Sequence, residues 1–389
     1  MTATSKSGKR TTPAKRSTGP AVARPRVARP GDEPTLTTRE LNRALLARQL
    51  LLARAQVTPL AAIEQLVALQ AQVARPPFLG LWSRVHGFSR DQLHGLLHRR
   101  EVVRATFLRG TLHLVAARDF LAFRAALQPM LSAAFHAVLK SRGAGLDMAA
   151  LAAFTRTRLP ATFDDLRPQL IGAFRSHDER ALGYAVRMHV PLIQVPTADP
   201  WAFPASAAFD SAESWLGKSL DPELALPGLV RRYLAAFGPA TIQDAQRWSG
   251  IANLTAAFEA LRPELVTFRD DKRRLLFDLP DAPRPAADTG APARLIADYD
   301  NLVLGHDDRR RVVADEHRAR LVTKNLQVKA TFLVDGFVAG TWAIERTRQC
   351  VTLTLAPFTP LAKPARTAVE AEASAMLRFV EPDAEHRVV

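Results

Sequence analysis

The chain has 389 residues, enough for two or three domains with a sizeable core; its 47% apolar and 23% charged residues are the balance of a soluble globular protein. No run of about 18 apolar residues offers a membrane span, the first residues lack the apolar core of a signal peptide, and the single cysteine, Cys350, excludes an intramolecular disulfide and cysteine-rich zinc modules, so a cytoplasmic protein is expected. Lys plus Arg number 53 against 38 Asp plus Glu, and the net +15 points to nucleic acid as partner, with a solvated basic surface as the plainer alternative.

Residues 1–35 are rich in Ser, Thr, Pro, Ala and basic side chains, without apolar periodicity. They read as a disordered basic tail, either a DNA-tethering arm or a dispensable extension. Eight basic and no acidic residues fall within 1–30, which leaves 45 basic against 38 acidic beyond it, so the rest is basic on its own account. Residues 36–125 read as a first winged-helix unit. Thr37 and Glu40 mark the capped start of a helix to about 52. Ala62, Leu66 and Leu69 at helical spacing give a second helix over about 59–70. Pro76-Pro77 interrupts, a short helix follows to about 85, and Ser89 caps another to about 100. Two β-prone runs, 102–108 and 111–115, then flank Arg109-Gly110 as a hairpin. Helices followed by a hairpin are the order of a winged helix, in which one helix enters the major groove and the wing touches backbone or minor groove.

Residues 126–262 repeat the theme as second and third units. Helices are expected over about 118–140 and 147–158, and a helix-turn-helix from Phe163. A second wing opens at Leu192-Ile193-Gln194-Val195 and closes near Trp201–Phe203. An amphipathic helix over 229–237 is stopped by Gly238-Pro239, and another starts at Thr241. Residues 263–389 turn to β. Short strands are expected at 302–304 and 311–313, a hairpin at 331–340 around Asp335-Gly336, a strand from Val351, and a final helix over about 365–379. The expected class is mainly α with β wings (α+β), as tandem winged-helix motifs plus a C-terminal β-barrel-like module.

Several segments stand in one order: Leu69-Gln70-Ala71-Gln72; Arg109-Gly110-Thr111-Leu112-His113-Leu114; Arg232-Tyr233-Leu234 with Phe237-Gly238-Pro239; Asp300-Asn301-Leu302-Val303-Leu304; and Leu333-Val334-Asp335-Gly336-Phe337 with Gly340-Thr341-Trp342. Over about residues 36 to 380 the chain resembles the winged-helix DNA glycosylases typified by AlkZ, of azinomycin resistance, and YcaQ. That resemblance implies three winged helices and a β-barrel-like element around a DNA-sized concave surface. It implies cleavage of the N-glycosidic bond of N7-alkylated purines, interstrand crosslinks included, in protection against a genotoxin. It also implies a catalytic signature of Gln, an apolar residue, then Gln or Asp, which here falls on Gln70-Ala71-Gln72. The small alanine is a mild departure that could alter the packing that orients the two amides.

The chemistry has its own logic. Alkylation at N7 makes the purine a cation that leaves without a strong acid. What remains is to hold a water near C1′ and to stabilise an oxocarbenium-like sugar. A glutamine cannot take a proton at neutral pH, but its carbonyl can hold a water's hydrogen while its amide nitrogen donates elsewhere. At a helix's C-terminal end both amides could converge on one water only if the helix ends or unwinds there. The absence of a carboxylate base restricts such a site to activated lesions. The alternative is that Gln70 and Gln72 are helix-end residues facing solvent.

Arg104 and Arg109 on the hairpin are candidate phosphate contacts. His113 could touch DNA or be a half-buried strand histidine. Asp298 and Asp300 could stabilise positive charge on the sugar or hold a strand end, with Asn301 beside them. His306, followed by Asp307, Asp308 and Arg309, could bind metal or do acid-base work, or form a surface turn. No Gly-rich phosphate loop, Ser-His-Asp order or metal-ligand spacing is present. The expectation is a monomeric, monofunctional glycosylase acting on duplex DNA that carries alkylated purines, with no cofactor and no Schiff-base lysine. A non-catalytic winged-helix DNA-binding protein or transcription regulator is the alternative, and a protein-binding scaffold is a third class that leaves the charge unexplained.

Overall fold

The structure is a computed structural model that describes residues 1–3, 33–221, 226–325, 327–348 and 350–389; most of the basic tail lies outside the described residues. Residues 34–389 form one compact unit. No helix among the described residues is long and apolar enough to cross a membrane.

One pattern occurs three times. A helix leads into a short extended segment, two helices follow, and a hairpin returns so that its second strand pairs with that segment. The first copy is the helix Pro59–Leu66, the strand Ala68–Gln70, the helices Pro76–Trp82 and Arg90–His98, and the hairpin Val102–Thr106 and Leu112–Ala116, with Gln70 opposite His113. The second is Met148–Arg156, a bridge at Ala161, Phe163–Ala173, Glu179–His189, and the strands Leu192–Gln194 and Phe209–Ser211, with Ala161 opposite Phe209. The third is Leu226–Phe237, a bridge at Ala240, Ile242–Ser249, Thr255–Leu261, and the hairpin Val266–Asp270 and Leu275–Asp278, with Ala240 opposite Phe277. This is winged-helix topology, and side-chain caps define its helix starts. Thr162 with Asp165 and Thr241 with Asp244 form capping boxes, as Thr37 with Glu40 does for the leading helix Thr38–Arg48.

The wings join where separate hairpins were expected. Leu192–Gln194 also pairs with Arg104 and Ala105, so the first two hairpins make one five-stranded sheet. The second wing closes at Phe209–Ser211, not near Trp201–Phe203; Trp201 instead packs edge-on to Phe78, 5.3 Å away. The hairpin at 266–278, expected in the C-terminal module, closes the third copy. The C-terminal module itself is a five-stranded sheet, in which Thr331–Val334 and Phe337–Arg346 form the expected Asp-Gly hairpin, packed against the helix Lys363–Val380. The strands expected at 302–304 and 311–313 are instead 3-10 turns, Asn301–Val303 and Arg309–Arg311. In each, an aspartate one residue ahead (Asp300, Asp308) accepts a backbone N–H and curls the chain.

Part of the positive charge lies inside. Arg43, Arg48, Arg84 and Arg124 are fully buried. Arg48 meets Asp278 at 2.6 Å and Arg84 meets Asp300 at 2.8 Å, so these cations tie elements together and are not available to a polyanion.

Candidate active site

The expected helix over 59–70 ends at Leu66. Val67 takes φ 68°, a left-handed conformation that a β-branched residue rarely adopts, and the chain continues as the strand Ala68–Gln70. Gln70 is therefore a strand residue, 9% exposed, and not the end of a helix. Its Oε1 accepts from Arg109 Nη2 at 2.7 Å, and the same nitrogen donates to Asn301 Oδ1 at 2.9 Å. Asn301 Nδ2 reaches back to the Ala68 carbonyl, 3.0 Å away, and clamps the strand from the other side. Arg109 thus joins three sequence-distant segments.

Arg109 can do this because the hairpin tip is folded inward. Arg109 and Gly110 have φ of 55° and 69°, and Arg109 Nη1 donates to the Trp248 carbonyl at the C-terminal end of Ile242–Ser249, where a cation suits the helix dipole. Gly250 permits the approach; a Cβ there would stand 3.0 Å from Arg109 Cα. Burial, then Arg247 and Arg309 nearby, lower the Arg109 pKa to about 10, which leaves it charged at neutral pH. His113 lies beside it. Its Nδ1 is 3.0 Å from the Thr111 carbonyl, which can only accept, so the proton sits on Nδ1 and Nε2 faces Arg109 at 3.5 Å. Burial, then Arg109, hold the His113 pKa near 3, so the ring is neutral.

Gln72 behaves differently. It is exposed, with Oε1 only loosely approached by the Leu112 amide at 3.4 Å, and it lines a cleft of about 550 Å³. Arg104, read as a phosphate contact, is buried instead: its Nε and Nη2 donate to the carbonyls of Ala71 and Gln72 at 2.9 and 3.3 Å. It holds the backbone of the glutamine pair from behind. Arg109 likewise serves that pair and the hairpin tip.

The remaining candidates separate. Asp300 gives both oxygens to Arg84, so its charge is neutralised. His306 is buried against the Phe237 carbonyl at 2.9 Å, near Asp244, with its pKa lowered to about 3 by burial and then Arg311; it is a core histidine and not part of a surface turn. Asp298 has its pKa raised by burial, opposed by Arg75, and accepts from the Ala330 amide. Among the described residues no cluster of three His, Cys, Asp or Glu could hold a metal ion. Sequence reasoning missed Arg247 and placed Arg309 only in the candidate cluster that follows His306. They line a second cleft, of about 620 Å³, with Arg109 and an apolar wall that includes Met130, Ala133 and Leu304. They are 62 residues apart in the chain, and no local pattern pairs them.

Three winged-helix copies joined to a β-sheet module, with two glutamines at the end of one edge strand, define a tandem winged-helix protein. The model of the family described as DNA glycosylase AlkZ-like matches residues 63–379, and the chain belongs to that family. A Streptomyces sahachiroi protein described as an interstrand DNA cross-link repair glycosylase is 32% identical over 171 residues, covering 42% of this chain and 44% of that relative, so the match spans less than half of its length. The solved structure of Streptomyces sahachiroi DNA glycosylase AlkZ is similar over 91% of this chain and 100% of its own, with a TM-score of 0.73 at 23% identity, a likeness of fold.

Proposed function

We propose that the protein is a monofunctional DNA glycosylase that hydrolyses the N-glycosidic bond of N7-alkylated purines in duplex DNA, bulky natural-product adducts and interstrand crosslinks among them. The observation that carries this reading is the unequal glutamine pair: Gln70 clamped by Arg109 and Asn301, and Gln72 standing free on a cleft. Gln72 is the amide that holds the attacking water. Gln70 has one carbonyl lone pair committed to Arg109, and its amide nitrogen and remaining lone pair complete the alignment. The guanidinium itself stays back from the reacting carbon, where a cation would oppose the developing sugar charge. Base departure is driven by the lesion's own positive charge, so no general acid is required. Three winged-helix copies in one chain supply what dimeric readers build from two subunits, so a monomer is the acting unit.

The test is incubation with duplex DNA carrying N7-methylguanine or a bulky N7 adduct, with chromatography for free modified base and alkali to reveal abasic sites. Release of base without strand cleavage is expected. Tight binding with no release would favour the regulator reading.

Affinity for undamaged duplex is expected to draw on the cations of the second cleft. Arg247 is exposed, and the Arg309 Nε is buried without a partner at the second cleft. Replacing either with alanine is expected to weaken binding and lower the slope of log K against log salt by about 1. Arg104→Ala is expected to leave the slope unchanged and lower the melting temperature, because two backbone carbonyls lose a buried donor. Binding by titration at several salt concentrations separates the two classes.

A further inference from the structure

The strand Leu192–Gln194 carries one polar side chain in an otherwise apolar, buried run. Gln194 is 8% exposed, and its Oε1 is buried with no hydrogen-bond partner. An unpaired buried amide oxygen destabilises a fold, so its retention calls for a ligand group that satisfies it. The side chain lines the cleft that Gln72 also lines, together with Phe163, Tyr184, Met188 and Phe209. Its backbone is fixed on both sides, paired with Arg104 in one neighbouring strand and with Phe209 in the other. An amide carried on a fixed strand and the amide proposed to hold the water therefore share one partly aromatic cleft.

We propose that Gln194 is a specificity-determining residue that reads the Watson–Crick edge of an alkylated guanine whose adduct is confined to one strand, and that the base leaves the helix to reach it. This rests on the glycosylase reading of the same site. The chemistry favours that edge. Alkylation occupies N7 and leaves guanine's Hoogsteen side with the 6-oxygen alone, which offers no donor to a glutamine's carbonyl. The 6-oxygen and N1–H remain as an adjacent acceptor and donor. The 6-oxygen accepts from the Gln194 amide nitrogen, and N1–H donates to the unpaired Oε1. Inside a duplex that edge is paired with the opposite base, so contact requires an extruded nucleotide, and aromatic side chains give its ring a surface on which to stack.

The test uses the full chain and a duplex carrying one N7-methylguanine whose sugar bears a 2′-fluorine; the fluorine withdraws electrons from C1′ and slows cleavage, so binding is measured without turnover. A 2-aminopurine beside the lesion reports unstacking by its fluorescence. The wild-type protein is expected to prefer this duplex to the undamaged one and to raise the fluorescence. Gln194→Leu should lower that preference by roughly 10- to 100-fold, the range of one bidentate base contact, with affinity for undamaged duplex unchanged and the melting temperature equal or higher. Gln194→Met, of similar length, serves if the leucine variant fails to fold. Full preference retained in the folded variant, or no preference in the wild type, overturns the proposal. Base release from the unfluorinated duplex is read in parallel. A wild type that prefers the lesion but releases no base removes the enzyme reading and leaves the Gln194 contact standing. Equal release and equal preference in wild type and variant remove the contact alone.

Discussion

Gln72→Ala is expected to lower single-turnover base excision by about 10²–10³-fold, the loss of a group that orients the attacking water, while DNA affinity and melting temperature hold near wild-type values. The side chain is exposed and makes one long contact, so its removal takes little from the fold. Gln70→Ala should lower excision similarly, but with a visible loss of stability, because Gln70 is buried and Arg109 would lose one of its acceptors. If, as proposed, both amides serve one water, the double variant is expected to fall far short of the product of the two losses. The wild-type rate should also show no bell-shaped pH profile between about pH 5.5 and 8.5: amides do not titrate, and the neighbouring His113, held near 3, stays neutral throughout that window. A steep acid limb would point to a titrating base, a steep alkaline limb to a titrating acid, and either away from this pair. Gln72→Asp introduces such a base and should retain or raise activity on N7-methylguanine. Two alanine variants that excise at wild-type rates would remove the assignment.

The two glutamines could be singled out in the sequence, but their geometry could not. Ala62, Leu66 and Leu69 have helical spacing, and nothing local announces that Val67 turns left-handed or that residues 68–70 find partners at 113–115, some 45 residues on. Strand pairing over that distance is a tertiary choice that overrides the local period. The capped helices and the Asp-Gly hairpin were legible because their signals are local: Thr37 with Glu40, Thr241 with Asp244, Asp335-Gly336 between apolar runs. Arg109 shows the opposite case. On an isolated hairpin tip an arginine reads as a phosphate contact. Only the docking of Ile242–Ser249 against that tip turns it inward to Trp248, Gln70 and Asn301. The burial of Arg104 and the pairing of Asp300 with Arg84 were hidden for the same reason: a charge's partner across the fold has no signature in its neighbours.

Asp300→Ala is expected to be the most destabilising single change at the site. Arg84 donates to both Asp300 oxygens at 2.8 Å and also to the carbonyls of Gln49 and Gly80, each at 3.0 Å, in a position with essentially no exposure. Loss of the carboxylate leaves a buried guanidinium without its counter-charge, a change of roughly 3–5 kcal/mol. Unfolding entropy scales with chain length, so in a unit this large the melting temperature should fall by only about 5 °C, and chemical denaturation is the more sensitive measure. The consequence reaches the active site by a short route. Asp300 Oδ1 also accepts from the Leu302 amide and shapes the turn that presents Asn301, and Asn301 holds both Ala68 and Arg109. If Asp300 acts only through this chain of positions, excision per folded molecule at about 15 °C should drop by less than roughly 10-fold, and Asp300→Glu should recover part of it. If Asp300 instead stabilised the cationic sugar directly, the loss would be on the order of 10²-fold or more even where the variant is fully folded. Pairing the change with Arg84→Met separates the two. Removing both charges should return much of the lost stability, since a buried ion pair contributes little net energy over an apolar replacement. Excision that recovers with stability in the double variant is the expected result; excision that stays lost while stability returns would assign Asp300 a direct part in the chemistry.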